Sequence, residues 1–264
     1  ADKRSFGHLF LIGGSRGMPG AIQMAVRTAV RSGVGLVTAC VPASVAPHLA
    51  AAVPEAMWIP WPELPGGGLS MDGFENLVAR LPGATALVAG PGMGAAPETI
   101  SLLARIVEEV PLPMVLDADA LHQPVVSRVL MRAPDAGRVI LTPHLGECRR
   151  MNDAPLWEFS EGALMTVACA LNAITVLKGP VTKICDGKRV IYSVFGGPVL
   201  ARGGSGDVLS GLIGSAVVQM PTSLPKAVCL AIAWHGLAAS RLARARGQIA
   251  VGTTELLDFL GAVL

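Results

Sequence analysis

The feature that most limits what this chain can fold into is an alternation. Short β-branched apolar runs, each closed by Gly, Pro or Asp, are separated by longer stretches rich in Ala and Leu. HLFLI (8 to 12), GLVTACV (35 to 41), TALVAG (85 to 90), PMVLD (113 to 117), RVILT (138 to 142) and ITVLKG (174 to 179) are too short for helices and read as strands. Continuously apolar strands are buried on both faces, which calls for a parallel sheet covered by helices on each side. The predicted fold class is α/β, a doubly wound, mainly parallel sheet.

The segments between these runs fit that scheme. Residues 20 to 32 carry apolar side chains at helical spacing, and Gly33 is placed to end the helix. Helices are also expected over 97 to 109, 160 to 171, 206 to 219, 226 to 246 and 253 to 263, so the chain finishes as a helical layer. Residues 182 to 193 depart from the pattern: Asp186-Gly187 between two short alternating runs predicts a hairpin. The Pro/Gly-rich stretch 58 to 68 reads as a surface loop, with Trp58 and Trp61 exposed enough to suggest a homo-oligomer. No repeat or long linker divides the chain, so residues 1 to 264 are expected to form one domain.

Composition removes several functional classes. A net charge of +2 does not provide the basic field of a nucleic-acid binder. Only 15% of residues are charged and the mean hydropathy is +0.54, yet no apolar stretch reaches the about 18 residues a membrane span needs. The five cysteines contain no C-x-x-C pair, which suits neither a disulfide framework nor a zinc site. The opening residues lack a cleavage site after their apolar run. A cytoplasmic protein without an export signal is the expectation.

Chemistry concentrates in the loops that follow the strands. In ARGGSGDVLSGLIG (201 to 214), Gly203, Gly204 and Gly206 let the backbone bend closely around a ligand just before a helix. Such a loop aims amide N–H groups and a helix dipole at one point, favouring phosphate. Asp207 then serves either as a helix cap or as a functional carboxylate. LIGGSRGMPGA (11 to 21) and AGPGMGA (89 to 95) follow other strands, and neither has the G-x-G-x-x-G spacing of a dinucleotide fingerprint. Asp117 and Asp119 end a strand; a metal or substrate contact and a helix cap at Asp119 are both open. His144 and Glu147 share one loop, where the carboxylate could engage Mg²⁺ through water. Lys178 emerges at a strand end beside Gly179 and Thr182. His235 reads as a hydrogen-bonded core histidine.

Taken in order, GGS-x(4)-GA (13 to 21), GPGMG (90 to 94), LDADAL (116 to 121), TPHLGE (142 to 147), VLKGPVT (176 to 182) and GGSGDVLSG (203 to 211) resemble the ADP/ATP-dependent NAD(P)H-hydrate dehydratases of the ribokinase-like superfamily. The resemblance implies a ribokinase-like fold, Mg²⁺, ADP or ATP as co-substrate, and repair of hydrated NADH and NADPH. It implies that Ala21, Gly94, His144 and Asp207 contact the hydrated dinucleotide; the chemistry of the glycine loop makes Asp207 the expected catalytic base, taking the proton of the ring hydroxyl. It also implies that Lys178, Gly179, Pro180, Val181, Thr182 and the loop Gly203, Gly204, Ser205 and Gly206 hold the adenine nucleotide. Assembly as a tetramer, and a separate epimerase acting in the same pathway, are further implications. A ribokinase-like kinase of a small alcohol such as hydroxyethylthiazole, and a non-catalytic nucleotide sensor, are the alternative readings.

Overall fold

The structure is a computed structural model that describes residues 2–152 and 160–263. In chain order it contains β1 (His8–Ile12), α1 (Pro19–Arg31), β2 (Leu36–Pro42), α2 (Ala46–Ala52), β3 (Met57–Trp61), α3 (Phe74–Arg80), β4 (Ala86–Ala89) and α4 (Pro97–Glu109). There follow β5 (Met114–Leu116), the short α5 (Gln123–Val126), β6 (Val139–Leu141), α6 (Leu145–Asn152), α7 (Glu161–Ala170) and β7 (Ile174–Leu177). A hairpin of β8 (Thr182–Cys185) and β9 (Val190–Ser193) precedes α8 (Ser205–Gln219) and α9 (Leu224–Arg246).

The described strands join in one sheet of order β3-β2-β1-β4-β5-β6-β7-β8-β9. β1 to β7 pair in parallel, and β8 and β9 extend the sheet antiparallel. Side chains alternate across it with the period of a strand. Leu9 and Leu11 enter a core shared with Ile22 and Ala25 of α1, Leu212 and Ile213 of α8, and Ala231 and Ala238 of α9. Phe10 and Ile12 point the other way, into a core built from Phe74 and Leu77 of α3, Leu102 and Ile106 of α4, and Val125 of α5. Both faces are covered, so neither side of these strands can be polar, which is why the runs read as unbroken apolar stretches. Each fully buried Leu or Ile contributes about 1.5–3 kcal/mol relative to an exposed one.

Two glycines seat α8. A Cβ on Gly211 would lie 2.4 Å from the Ala25 carbonyl oxygen, and one on Gly214 would lie 2.5 Å from Val88 Cγ2. Only hydrogen at these positions lets α8 rest directly on α1 and the sheet. That close approach fixes the first turn of α8, and with it Asp207, above the carboxyl ends of the central strands.

Several expectations require correction. Residues 58 to 68 are not wholly loop, because Met57–Trp61 forms β3, paired in parallel with β2. Pro60 is tolerated there because β3 lies at the sheet edge. Trp61 is buried, 1% exposed, and its Nε1 donates to the Ser70 carbonyl at 2.8 Å. Trp58 is half-buried and donates to the Val53 carbonyl at 3.0 Å. These indoles therefore give no argument for an oligomer. The helix expected over 253 to 263 is a 3-10 stretch, Thr253–Ala262. The hairpin is as expected, with Gly187 in the left-handed region at φ 86°. Among the described residues, no helix is long and apolar enough to cross a membrane.

Candidate active site

The strand order reverses between β1 and β4, and open α/β sheets bind ligands beyond the carboxyl edge at such a point. The loops leaving β1 and β4 are locked together there: the Gly14 amide donates to the Pro91 carbonyl at 2.7 Å. A Cβ on Gly92 would touch Ala21 Cβ at 2.9 Å, so Ala21 and the Gly90–Gly94 loop share one corner. The Gly94 amide donates to Asp119 Oδ2 at 2.8 Å. Asp119 thus holds a loop rather than capping a helix. Between the two aspartates, Ala118 has φ 50°, an uncommon conformation for a residue with a Cβ. That kink turns Asp117 and Asp119 toward the same edge.

Asp117 is 1% exposed and accepts from Thr142 Oγ1 and from Lys178 Nζ, each at 2.7 Å. Lys178 also lies 3.4 Å from Glu147 Oε2, whose other close donor is the His144 amide at 2.8 Å. Backbone geometry brings these groups together. The Lys178 amide donates to the Pro143 carbonyl at 2.8 Å, extending the pairing of β7 with β6 up to His144. Lys178 is therefore an interior cation between two carboxylates. Burial draws its pKa down, but Asp117 and Glu147 outweigh that and hold it above the ordinary lysine value.

Asp207 stands in the first turn of α8, whose N-cap is Gly204 at φ 86°. No side chain caps this helix, so Asp207 is not its cap. The Ser205 amide donates to the Arg202 carbonyl at 3.3 Å, while first-turn amides such as those of Gly206 and Asp207 have no intrahelical acceptor. A Cβ on Gly206 would lie 3.3 Å from Lys178 Nζ, so the lysine head sits against this turn. Burial, and then the negative field of Asp117, raise the Asp207 pKa to about 7; Lys178 opposes the rise, and Asp119 and Glu147 add to it. A carboxyl balanced near neutral pH beside unpaired amides and a lysine can accept a proton while the amides and the cation stabilise an anion.

The other expected positions fall around this centre. His144 opens onto solvent, and its Nδ1 accepts from the Gly146 amide at 2.9 Å. Gly179 to Thr182 lead from β7 into β8, with Val181 exposed on the rim. The Gly203 carbonyl accepts from Thr253 Oγ1 at 2.7 Å, and Ser205 Oγ donates to the Leu200 carbonyl at 2.7 Å, which pins the loop from beneath. Glu147 is 5% exposed and already engaged with Lys178 and the His144 amide. Among the described residues no group of three or more His, Cys, Asp and Glu side chains is arranged to hold a metal. Thr142, which orients Asp117, lay inside the TPHLGE motif without being singled out; its place directly after a strand end was the available signal. His235 is the expected buried, hydrogen-bonded histidine: its ring is bonded to the Ser205 backbone while Nε2 has no partner, and burial, followed by the Lys178 charge, drives its pKa down to about 4.

Known proteins resemble this chain along nearly its whole length. A family model described as NAD(P)H-hydrate dehydratase matches residues 9–261. The chain is 38% identical to the bifunctional NAD(P)H-hydrate repair enzyme Nnr of Moorella thermoacetica, over 99% of this chain and 50% of that protein. It thus spans about half the length of such bifunctional relatives. It is 30% identical to the ADP-dependent (S)-NAD(P)H-hydrate dehydratase of Xanthomonas campestris, over 97% of this chain and 87% of that one. The crystal structure of the ADP/ATP-dependent NAD(P)H-hydrate dehydratase from Bacillus subtilis, co-crystallised with ATP/Mg²⁺, superposes with a TM-score of 0.83 at 28% identity, covering 100% of this chain and 90% of that one. The chain belongs to the NAD(P)H-hydrate dehydratase family.

Proposed function

We propose that this protein uses ADP or ATP to dehydrate hydrated NADH and NADPH, with Asp207 as the base that starts the reaction. The observation that carries the reading is the Asp207 carboxyl, its pKa near 7, in the first turn of an uncapped helix. The carboxylate takes the proton of the hydroxyl on the hydrated nicotinamide ring. The hydroxyl oxygen bonds to the terminal phosphorus of the nucleotide, and the bond from that phosphorus to the leaving nucleotide oxygen breaks. The amides of Gly206 and Asp207, with Lys178, stabilise the negative charge on the transferring group. The ring carbon–oxygen bond then breaks, phosphate departs with its electron pair, and loss of a proton from the neighbouring ring carbon restores the dihydronicotinamide.

In this reading Ala21, Gly94 and His144 contact the dinucleotide, while Lys178 to Thr182 and Gly203 to Gly206 hold the adenine nucleotide. The donor set suits a Mg²⁺ carried by phosphate oxygens rather than caged by protein, because no chelating group of side chains is present among the described residues. Glu147 would hold such an ion through water, and the ion would neutralise phosphoryl charge. The ATP/Mg²⁺ co-crystal of the Bacillus relative supports this part of the reading. A cytoplasmic site of action belongs to the same proposal, and interconversion of substrate epimers is assigned to residues outside this chain.

The test is to incubate the purified protein with hydrated NADH and each nucleotide in turn. Return of reduced-nicotinamide absorbance together with free phosphate is the expected result. A stable phosphoester, or nucleotide binding without turnover, would overturn it.

A further inference from the structure

Beside the Asp207 centre lies a cavity of about 540 Å³, within the roughly 300–1,000 Å³ of small-molecule sites. Its walls come from the loop after β1 (Ser15), the segment Leu64 to Gly68 beyond β3, and the segment Met93 to Glu98 leading into α4. Gly94 belongs both to this wall and to the bond with Asp119, whose charge acts on Asp207. The cavity therefore opens from the reacting centre toward β1, β3 and β4. Lys178 and the Gly179–Thr182 segment lie on the opposite flank, beyond β7.

Two ligands must meet at Asp207, and the phosphoryl donor occupies the Lys178 flank. The remainder of the dinucleotide then extends into the cavity. Glu98 is the only ionisable residue among those lining it. Its Oε1 accepts from Ser70 Oγ at 2.9 Å and from the Met71 amide at 3.0 Å, which fixes the carboxylate and leaves Oε2 for a further donor. A fixed carboxylate of this kind accepts from a ribose diol and opposes a 2′-phosphate, the same logic by which an acidic residue selects NAD over NADP in other dinucleotide sites. The neighbouring cation does not reverse this. Arg16 packs against Gly67, with its guanidinium 3.3 Å from Glu63 and 3.4 Å from the Pro65 carbonyl.

We infer that this cavity receives the adenosine half of the hydrated dinucleotide and that Glu98 makes hydrated NADH the preferred substrate over hydrated NADPH. The inference rests on the activity proposed above and assigns a specificity residue to it. The experiment compares kcat/KM for both hydrates in the parent protein and in Glu98→Gln, which keeps an acceptor for Ser70 and Met71. The parent is expected to favour hydrated NADH by roughly threefold to tenfold, the scale of a solvent-screened charge contact, and the preference should shrink with added salt. Glu98→Gln is expected to lower KM for hydrated NADPH and erase the difference. Equal use of both substrates by the parent, a preference for hydrated NADPH, or a preference that survives Glu98→Gln overturns the inference. Turnover of neither hydrate by the parent overturns the activity itself.

Discussion

Replacing Lys178 with Met removes the one cation held between Asp117 and Glu147 while keeping an unbranched side chain. Nζ lies 2.7 Å from Asp117 Oδ1 and 3.4 Å from Glu147 Oε2, and both carboxylate side chains are at most 6% exposed. Breaking a buried pair by deleting one partner costs about 3–5 kcal/mol. Here Asp117 keeps the Thr142 hydroxyl and Glu147 keeps the His144 amide, so a loss of about 2–4 kcal/mol near neutral pH is expected. The sign of the pH dependence follows from the lysine's raised pKa. Its contribution is fully present below the ordinary lysine value and is lost only as the pH climbs through the raised one. Mildly acid and neutral solutions therefore leave the parent's pair intact. In the variant, acidification protonates Asp207 and removes its repulsion with Asp117 and Glu147, so the deficit shrinks. Urea unfolding of both proteins at about pH 5 and about pH 8 should give the larger gap at the higher pH. Because Lys178 opposes the rise of the Asp207 pKa, the acid limb of whatever activity remains should also move upward from about 7. Equal stabilities at both pH values, or a limb displaced toward acid, would refute the reasoning.

Gly211→Ala should improve helix propensity by about 1 kcal/mol yet lose about 1–3 kcal/mol to overpacking against the Ala25 carbonyl, so a lowered melting temperature is expected and a raised one contradicts the seating of α8. His235 stays neutral in the fold, with its pKa driven from 6.5 down to about 4 by burial. Between pH 6.5 and about 4 this uncharged imidazole costs the fold about 1.4 kcal/mol per unit as the pH falls, while Asp207, with its pKa raised to about 7, offsets it by a similar amount. His235→Asn should therefore gain stability relative to the parent by about 1.4 kcal/mol per unit of acidification, and parallel denaturation curves would contradict this.

Legibility in the sequence followed physical scale. The β1 strand is HLFLI as read, because a strand buried on both faces leaves an unbroken apolar run. β3 escaped because Pro60 and Pro62 carry the signature of a loop, and only its place at the sheet edge makes Pro60 acceptable. α2 and α3, at seven residues each, are too short to impose a helical period. At the site, Asp207 and the glycine loop were visible because they share one stretch of chain. The Lys178–Asp117 pair was not, since those residues are 61 positions apart and meet only after β5, β6 and β7 align. Asp119 was open to a capping role because a cap is a local signal, whereas its bond to Gly94 spans 25 positions. The cavity walled by Glu98 comes from three separate loops and has no local signature at all.

The base assigned to Asp207 is tested most directly by the pH dependence of kcat/KM for hydrated NADH in the parent and in Asp207→Asn. The parent rate should fall about tenfold for each pH unit below about 7, where the carboxylate takes up its proton. The variant should be slower by at least about a hundredfold and lack that limb. It should also unfold no more easily than the parent at about pH 8, since the exchange removes a buried negative charge. A variant as active as the parent, or one that keeps the same acid limb, would contradict the assignment.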